Sequence, residues 1–504
     1  MKNHTDHDSK LITNFNMAKP EDHFLKFRNN TVGHDLKIIT PYGEQPLVYA
    51  DWIASGRLYA PIEEKISRDF GPLVGNTHSE SNYTGTVMTH AYHYAHKFIK
   101  SHVNAGPKDI IITAGSGMTG VINKFQRILG LRIPELLQQF VRMDEIVRPV
   151  VFLTHMEHHS NQTSWLETIC DVVVVAPAEN GLVSEENLIR EIERYSERKV
   201  KIGAFTACSN VTGITTNYHR LAKIMHQAGG YVFIDFACSA PYVDIDMHPE
   251  DPDERLDAIV FSPHKFLGGP GTPGVLIFDS ELYHNTVPDN PGGGTVDWTN
   301  PWGEYRFVDD IEAREDGGTP PFIQTIKAAL AIKLKNEMGT SAIKEREQTI
   351  VPRFMDMLDG IPNLHILAGN QRERLGAVSF YFDNIHYNLV VKLLNDRFGI
   401  QVRGGCSCAG TYGHYLLNVD PYMSHRITDK INHGDLSEKP GWVRVSLHPT
   451  MTGDEVAFIA KAISEIRKNI SKWEPGYRYD NHRNEFICKK GEPELSVPRL
   501  FELG

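Results

Sequence analysis

Cysteine is scarce in this chain: six residues in 504, at positions 170, 208, 238, 406, 408 and 488. So few, so widely scattered, exclude a fold held together by disulfides. Long apolar runs are missing too. No stretch reaches the ~18 to 20 residues that cross a bilayer, so no membrane partner is expected. Residues 1–9 are polar and lack the hydrophobic centre of a secretory signal. Positive charge is short: 52 Lys and Arg stand against 63 Asp and Glu, a formal net charge of −11, without any basic run. That balance speaks against nucleic acid as the main partner. There is no internal repeat, and no low-complexity segment beyond the polar start. Together these absences predict a cytoplasmic protein of ordinary globular composition, long enough for two or three domains and a large core.

What the chain does hold is a steady alternation of short apolar runs and helical patterns between residues 110 and 278. Runs at 110–113, 150–153, 172–175, 200–206, 231–234, 258–261 and 275–278 read as buried strands. Strand, helix and strand in alternation predict an α/β fold with a mostly parallel sheet covered on both faces. Asp235 stands where one strand ends, and Lys265 follows another in Ser262-Pro-His-Lys265, 30 residues on (265 − 235). Ligands of open α/β sheets collect at the carboxyl ends of strands. A lysine able to form a Schiff base and an acid facing a pyridinium nitrogen are what pyridoxal 5'-phosphate requires of a protein. Taken singly, a strand-end aspartate and a solvated lysine are the commoner reading; the context Ser-Pro-His-Lys-Phe-Leu-Gly-Gly favours the cofactor.

Other motifs are weaker alone. The small residues of Ala114-Gly-Ser-Gly-Met-Thr-Gly120 leave backbone N–H groups free for a phosphate at a helix start, or serve tight packing. His155, Glu157, His158 and His159 lie close together, yet no cysteine or carboxylate set completes them, so no metal site is expected. Arg444 sits between apolar neighbours. A guanidinium holds a carboxylate through two parallel hydrogen bonds, which suits a small amino-acid substrate; a local acid is the alternative partner. Residues 136–147 read as an added helical segment closed by Pro149.

With these motifs in order, from about Val48 to about Leu447, the chain resembles the class V group of fold-type I pyridoxal-phosphate enzymes, the cysteine desulfurase and selenocysteine lyase group. The resemblance implies a large cofactor-binding domain over residues 46–330, built on a mostly parallel seven-stranded sheet covered by helices. It implies a smaller α+β domain over 331–472, an N-terminal segment (1–45) packed with that small domain, and an extension (473–504) without counterpart. Lys265 would hold the cofactor and Asp235 face its ring nitrogen. His158 would stack on the ring and act in catalysis, and Gly115, Ser116, Gly117, Ser262 and His264 would surround the phosphate. Asn210, in Cys208-Ser-Asn-Val-Thr-Gly213, would sit beside the phenolic oxygen. Where the family carries Gln or His for that oxygen, this chain has Cys238, a weak donor. His78 would face the substrate side and Arg444 bind the substrate. Thr319, in Asp316-Gly-Gly-Thr-Pro320, would reach the phosphate of a neighbouring subunit, which implies a homodimer with composite sites.

The family spacing in Val402-Arg-Gly-Gly-Cys-Ser-Cys-Ala409 puts Cys408, rather than Cys406, at the place of the desulfurase nucleophile. Three readings stay open: a persulfide nucleophile at Cys408, a redox pair of Cys406 and Cys408, and two small residues without reactivity. The first makes the chain an enzyme that turns cysteine into alanine, carries a persulfide on Cys408 and passes sulfur to an acceptor protein. The third goes with a class V aminotransferase, epimerase or lyase that uses no thiol. A non-enzymatic partner protein is not expected while Lys265 and Asp235 are intact.

Overall fold

The computed structural model describes residues 20–77, 80–494 and 497–503. At its centre is a seven-stranded sheet: β1 (Asp109–Ala114), β2 (Val150–Thr154), β3 (Asp171–Val175), β4 (Lys201–Thr206), β5 (Tyr231–Asp235), β6 (Ala258–Phe261) and β7 (Gly274–Asp279). Their spatial order is β1-β7-β6-β5-β4-β2-β3. β7 runs antiparallel to both of its neighbours, and the remaining pairs are parallel. This is the mostly parallel α/β sheet read from the apolar runs.

Successive strand residues point to opposite faces. Ile111, Phe152, Ile234, Ile259 and Val275 accordingly enter one apolar cluster, and their neighbours Ile112, Val151, Phe233, Val260 and Leu276 another. Because both faces are covered, β2, β4 and β6 are buried along their whole length, which is why they read as continuous apolar runs. The helix Met118–Ile128 packs Val121, Ile122 and Phe125 on one side of the sheet. The helix Phe322–Met338 packs Ile326, Ile332 and Leu334 into the other cluster.

A second, antiparallel sheet follows in the C-terminal third, in the order Leu364–Ile366, Ala377–Phe382, Trp442–Ser446, Arg403–Gly405. The helix Gly453–Trp473 beside it opens on a capping box made by Thr452 and Glu455. The helix Pro20–Asn29 buries Phe24 and Phe27 and is tied here by Arg28–Glu455 at 2.7 Å and Glu21–Arg346 at 3.0 Å. Beyond Trp473 a hairpin, Tyr477–Asp480 with Glu485–Cys488, buries Tyr477 and Cys488.

The helical segment expected over 136–147 is only a single turn, Glu135–Gln138. Leu136, Leu137, Phe140, Ile146 and Val147 are all exposed. Short helices draw their stability from packing, and these apolar residues have no surface to pack on. Residues 411–439 hold two helices, Gly410–Leu416 and Pro421–Asn432; the Asp420 side chain caps the second by accepting from Met423 N. Among the described residues no helix is long and apolar enough to cross a membrane.

Candidate active site

A cavity of ≈280 Å³ opens at the carboxyl ends of β4, β5 and β6, the side on which open α/β sheets take ligands. Lys265 reaches it from a single 3-10 turn, Pro263–Lys265, that follows β6. The turn is braced from outside: Gly56 N donates to the His264 carbonyl at 3.0 Å. A Cβ at Gly56 would come within 1.9 Å of the Phe266 carbonyl oxygen, so only glycine fits there. Burial holds the Lys265 ammonium below the usual lysine value, against the pull of Cys238 and Asp235.

Asp235 ends β5 and is buried, with Oδ1 accepting from Ala237 N at 2.8 Å. Burial pushes its carboxyl up to about 6, and a cation facing it would favour the ionised form. Among the described lining residues it is the one carboxylate. His158 caps the helix His159–Leu166, its Nδ1 accepting from Ser160 N at 3.1 Å. The neutral imidazole therefore carries its proton on Nε2, and burial, with Lys265 nearby, pushes it down to about 3. The turn that presents His158 is anchored by Glu157. Its carboxylate accepts from Thr154 Oγ1 at 2.6 Å, Thr206 N at 2.9 Å and Asn161 Nδ2 at 2.8 Å.

The glycine turn after β1 ends at the N-terminus of Met118–Ile128, where Met118 N donates to Ser262 Oγ at 2.8 Å. A Cβ at Gly117 would lie 3.1 Å from Ser262 Oγ and 3.3 Å from His264 Nε2, in the space where those groups converge. Gly115 turns the chain with φ +58°, while Ser116 and Gly117 line the cavity. A helix N-terminus, a hydroxyl and an imidazole around one small space fit a phosphate. In the same cavity Asn210 Oδ1 is buried without a hydrogen-bond partner among the described residues, and Cys208 and Cys238 lie on the wall. Lysine, acid, imidazole and anion cup thus match the donor set that pyridoxal phosphate needs.

Arg444 and Arg403 also line the cavity. Arg444 is 1 % exposed: Nη2 donates to Asp51 Oδ1 at 2.7 Å and Nη1 to the Asn210 carbonyl at 3.1 Å. Arg403 Nε lies 3.8 Å from Asp51 Oδ2. The local acid weighed for Arg444 therefore exists, and it is Asp51, which sequence reasoning did not single out. Its signal was slight: an acid following a short strand.

Cys408 is exposed and stands outside the cavity wall, as does Cys406. Their loop is nonetheless tied to it. Asn210 Nδ2 donates to the Ser407 carbonyl at 2.7 Å, His159 N to the Cys408 carbonyl at 2.7 Å, Gly410 N to His159 Nε2 at 2.9 Å, and Trp442 Nε1 to Ser407 Oγ at 3.2 Å. Thr319 is exposed and not brought to Lys265 within this chain. Its neighbours Asp316 and Pro320 border a separate cleft of ≈970 Å³ beside the helix Tyr83–His102. His78 lies outside the described residues.

Residues 48–459 match the family model Aminotransferase class-V. The chain is 27 % identical over 387 residues to a "Probable cysteine desulfurase" of Halalkalibacterium halodurans, covering 75 % of this chain and 88 % of that one. To a cysteine desulfurase of Synechococcus elongatus it is 26 % identical over 369 residues, 72 % of this chain and 55 % of the other. Among solved structures, a cysteine desulfurase from Thermococcus onnurineus matches with a TM-score of 0.70 at 20 % identity, over 88 % of this chain and 98 % of that one. One from Escherichia coli matches with 0.66 at 21 % identity, with the same coverages of 88 % and 98 %. These structural likenesses establish the fold.

Proposed function

The chain belongs to the class-V aminotransferase family, and on that premise we propose a pyridoxal-phosphate enzyme of the cysteine desulfurase or selenocysteine lyase type. It takes cysteine to alanine, with the sulfur carried on Cys408. The observation that carries the reading is one cavity holding Lys265, Asp235, neutral His158 and an anion-fitting glycine turn together. The cofactor, when bound, supplies an electron sink for bonds at the substrate Cα. Lys265 is the residue we assign to bind it covalently; an ammonium lowered by burial gives up its proton more readily. Asp235 would pair with the ring nitrogen. Ser262, His264, Ser116 and Gly117 would hold the phosphate, and Asn210 and Cys238 would serve the phenolic oxygen. His158 moves a proton at Nε2. Arg444, with Arg403 beside it, takes the substrate carboxylate.

The exposed loop position of Cys408 suits handing sulfur to an acceptor protein. The separation of exposed Thr319 from its own cavity supports a homodimer in which it serves the partner's phosphate. We place the enzyme in the cytoplasm, in keeping with six unpaired cysteines. A second reading, a class V aminotransferase, epimerase or lyase without thiol chemistry, is favoured by the absence of Cys408 from the cavity wall.

The test is release of alanine and sulfide from cysteine by the parent, Cys408→Ala and Cys406→Ala, with cofactor absorbance followed alongside. The first variant should lose sulfide release by about 100-fold or more while keeping the cofactor, as removal of an attacking group does. Cys406→Ala should keep most of it. Undiminished release from Cys408→Ala would transfer the protein to the second reading.

A further inference from the structure

Two thiols outside the 403–410 loop sit on the cavity wall. β4 runs into Ala207-Cys208-Ser209, and β5 runs through Asp235 into Ala237-Cys238-Ser239, the same tripeptide 30 residues later (238 − 208). The two strands pair in parallel with Thr206 opposite Asp235, so both tripeptides emerge at the same carboxyl edge. There the two sulfurs lie 3.7 Å apart, Cys208 1 % and Cys238 5 % exposed, both facing the cavity that holds Lys265. Each also approaches the Ser209 carbonyl, at 3.6 and 3.7 Å.

We propose that Cys208 and Cys238 form an oxidisable dithiol inside the cavity, which a peroxide closes to a disulfide and which bound pyridoxal phosphate shields. The shielding rests on the cofactor reading above; the closure does not. Cys238 is the sulfur that reacts first. The hydrogen bond shared with Cys208 draws it below the ordinary thiol value and Lys265 adds to the effect, whereas burial lifts Cys208. Only a thiolate attacks a peroxide at a useful rate. Attack of Cys238 on one peroxide oxygen breaks the O–O bond, leaves a sulfenic acid and releases hydroxide, which takes up the thiol proton as water. Cys208 then attacks that sulfur, the S–O bond breaks, and a second water leaves with the Cys208 proton. Two thiols have lost two electrons and one peroxide has become two waters. Closure brings the sulfurs from 3.7 Å to the ~2.05 Å of a bond. The product ties the end of β4 to the turn that follows Asp235.

The experiment treats the full chain, with and without added pyridoxal phosphate, with hydrogen peroxide. Remaining thiols are alkylated, and unreduced peptides are weighed by mass spectrometry. Without the cofactor, a linked pair of peptides containing Cys208 and Cys238 should appear, two hydrogens lighter than the separate peptides, and dithiothreitol should abolish it. Cys208→Ser and Cys238→Ser should each remove the linked pair. With the cofactor bound, it should form at least about tenfold more slowly, because access sets the rate. Recovery of Cys208 and Cys238 as separate alkylated or over-oxidised peptides would overturn closure, and equal rates in the two forms would overturn shielding. The readout is a peptide mass, so a chain without desulfurase activity still answers it.

Discussion

Arg444 donates to Asp51 and to the Asn210 carbonyl, leaves Nε without a partner, and is almost wholly removed from water. A buried guanidinium is tolerated only while its charge is answered, and removing the answering group commonly costs about 3 to 5 kcal/mol. Asp51 keeps 18 % of its side chain exposed, so water softens that figure and about 3 kcal/mol is expected. Urea unfolding of Asp51→Ala should show this loss. The double variant Asp51→Ala/Arg444→Met should regain much of it, since an apolar residue of similar size leaves no charge to answer. A loss under about 1 kcal/mol, the range of surface pairs, would mean that Asp51 does not hold Arg444 in place. The same contact makes Asp51 the group that a substrate carboxylate has to share or displace at Arg444.

The loop from the strand Arg403–Gly405 to the helix Gly410–Leu416 passes through two successive non-glycine residues in the left-handed region, Ser407 at φ 51° and Cys408 at 57°. Such residues persist only where surrounding contacts over-determine them, at about 1 to 3 kcal/mol each. Asn210, Trp442 and His159 supply those contacts. A net hydrogen bond is worth about 1 kcal/mol, roughly fivefold in an opening equilibrium. Asn210→Ala should therefore raise amide hydrogen exchange at residues 406–411 about fivefold while β2 and β4 stay as protected as in the parent. Unaltered exchange in the loop would show that Asn210 is no latch. The sheet was legible in the sequence because strands buried on both faces are apolar along most of their length. Lys265 and Asp235 were legible as cavity residues because one stands in the turn after such a strand and the other is the last residue of its neighbour. Asp51 was not: its partner lies 393 residues away, and no local pattern announces a contact of that span. Nor was the nearness of Cys208 and Cys238, which depends on β4 and β5 being neighbours. The segment 136–147 misled because a helical pattern predicts a helix only where a surface waits to cover it.

Buried ionisable groups set how the whole molecule answers pH. Burial pushes His96, His158 and His448 down to about 3 and His155 to about 4. Their folded values lie below the unfolded ~6.5, so the stability they allow is complete above that pH and is lost as pH falls toward 3 to 4. Burial pushes Glu157 up to about 7 and Glu347 up to about 8. Folded values above the unfolded ~4.3 reverse the sign: stability is complete below that pH and drains away as pH rises through 7 and 8. Lys335, lowered by burial to about 7, acts oppositely between about 7 and 10.4, adding stability as pH rises there. These windows overlap, so one contribution is visible only as a difference between proteins. Glu347 is suited to that, because Oε1 accepts from Gly376 N at 3.1 Å and a glutamine keeps the same acceptor. Denaturant unfolding of the parent and Glu347→Gln should run together near pH ~4 and separate as pH climbs to ~8, the variant becoming the more stable. The gap should widen by up to about 1.4 kcal/mol per pH unit, the full share of one proton. Parallel curves over that range would mean that Glu347 ionises in the fold as freely as in the unfolded chain, and that the loss of stability toward alkaline pH has another source.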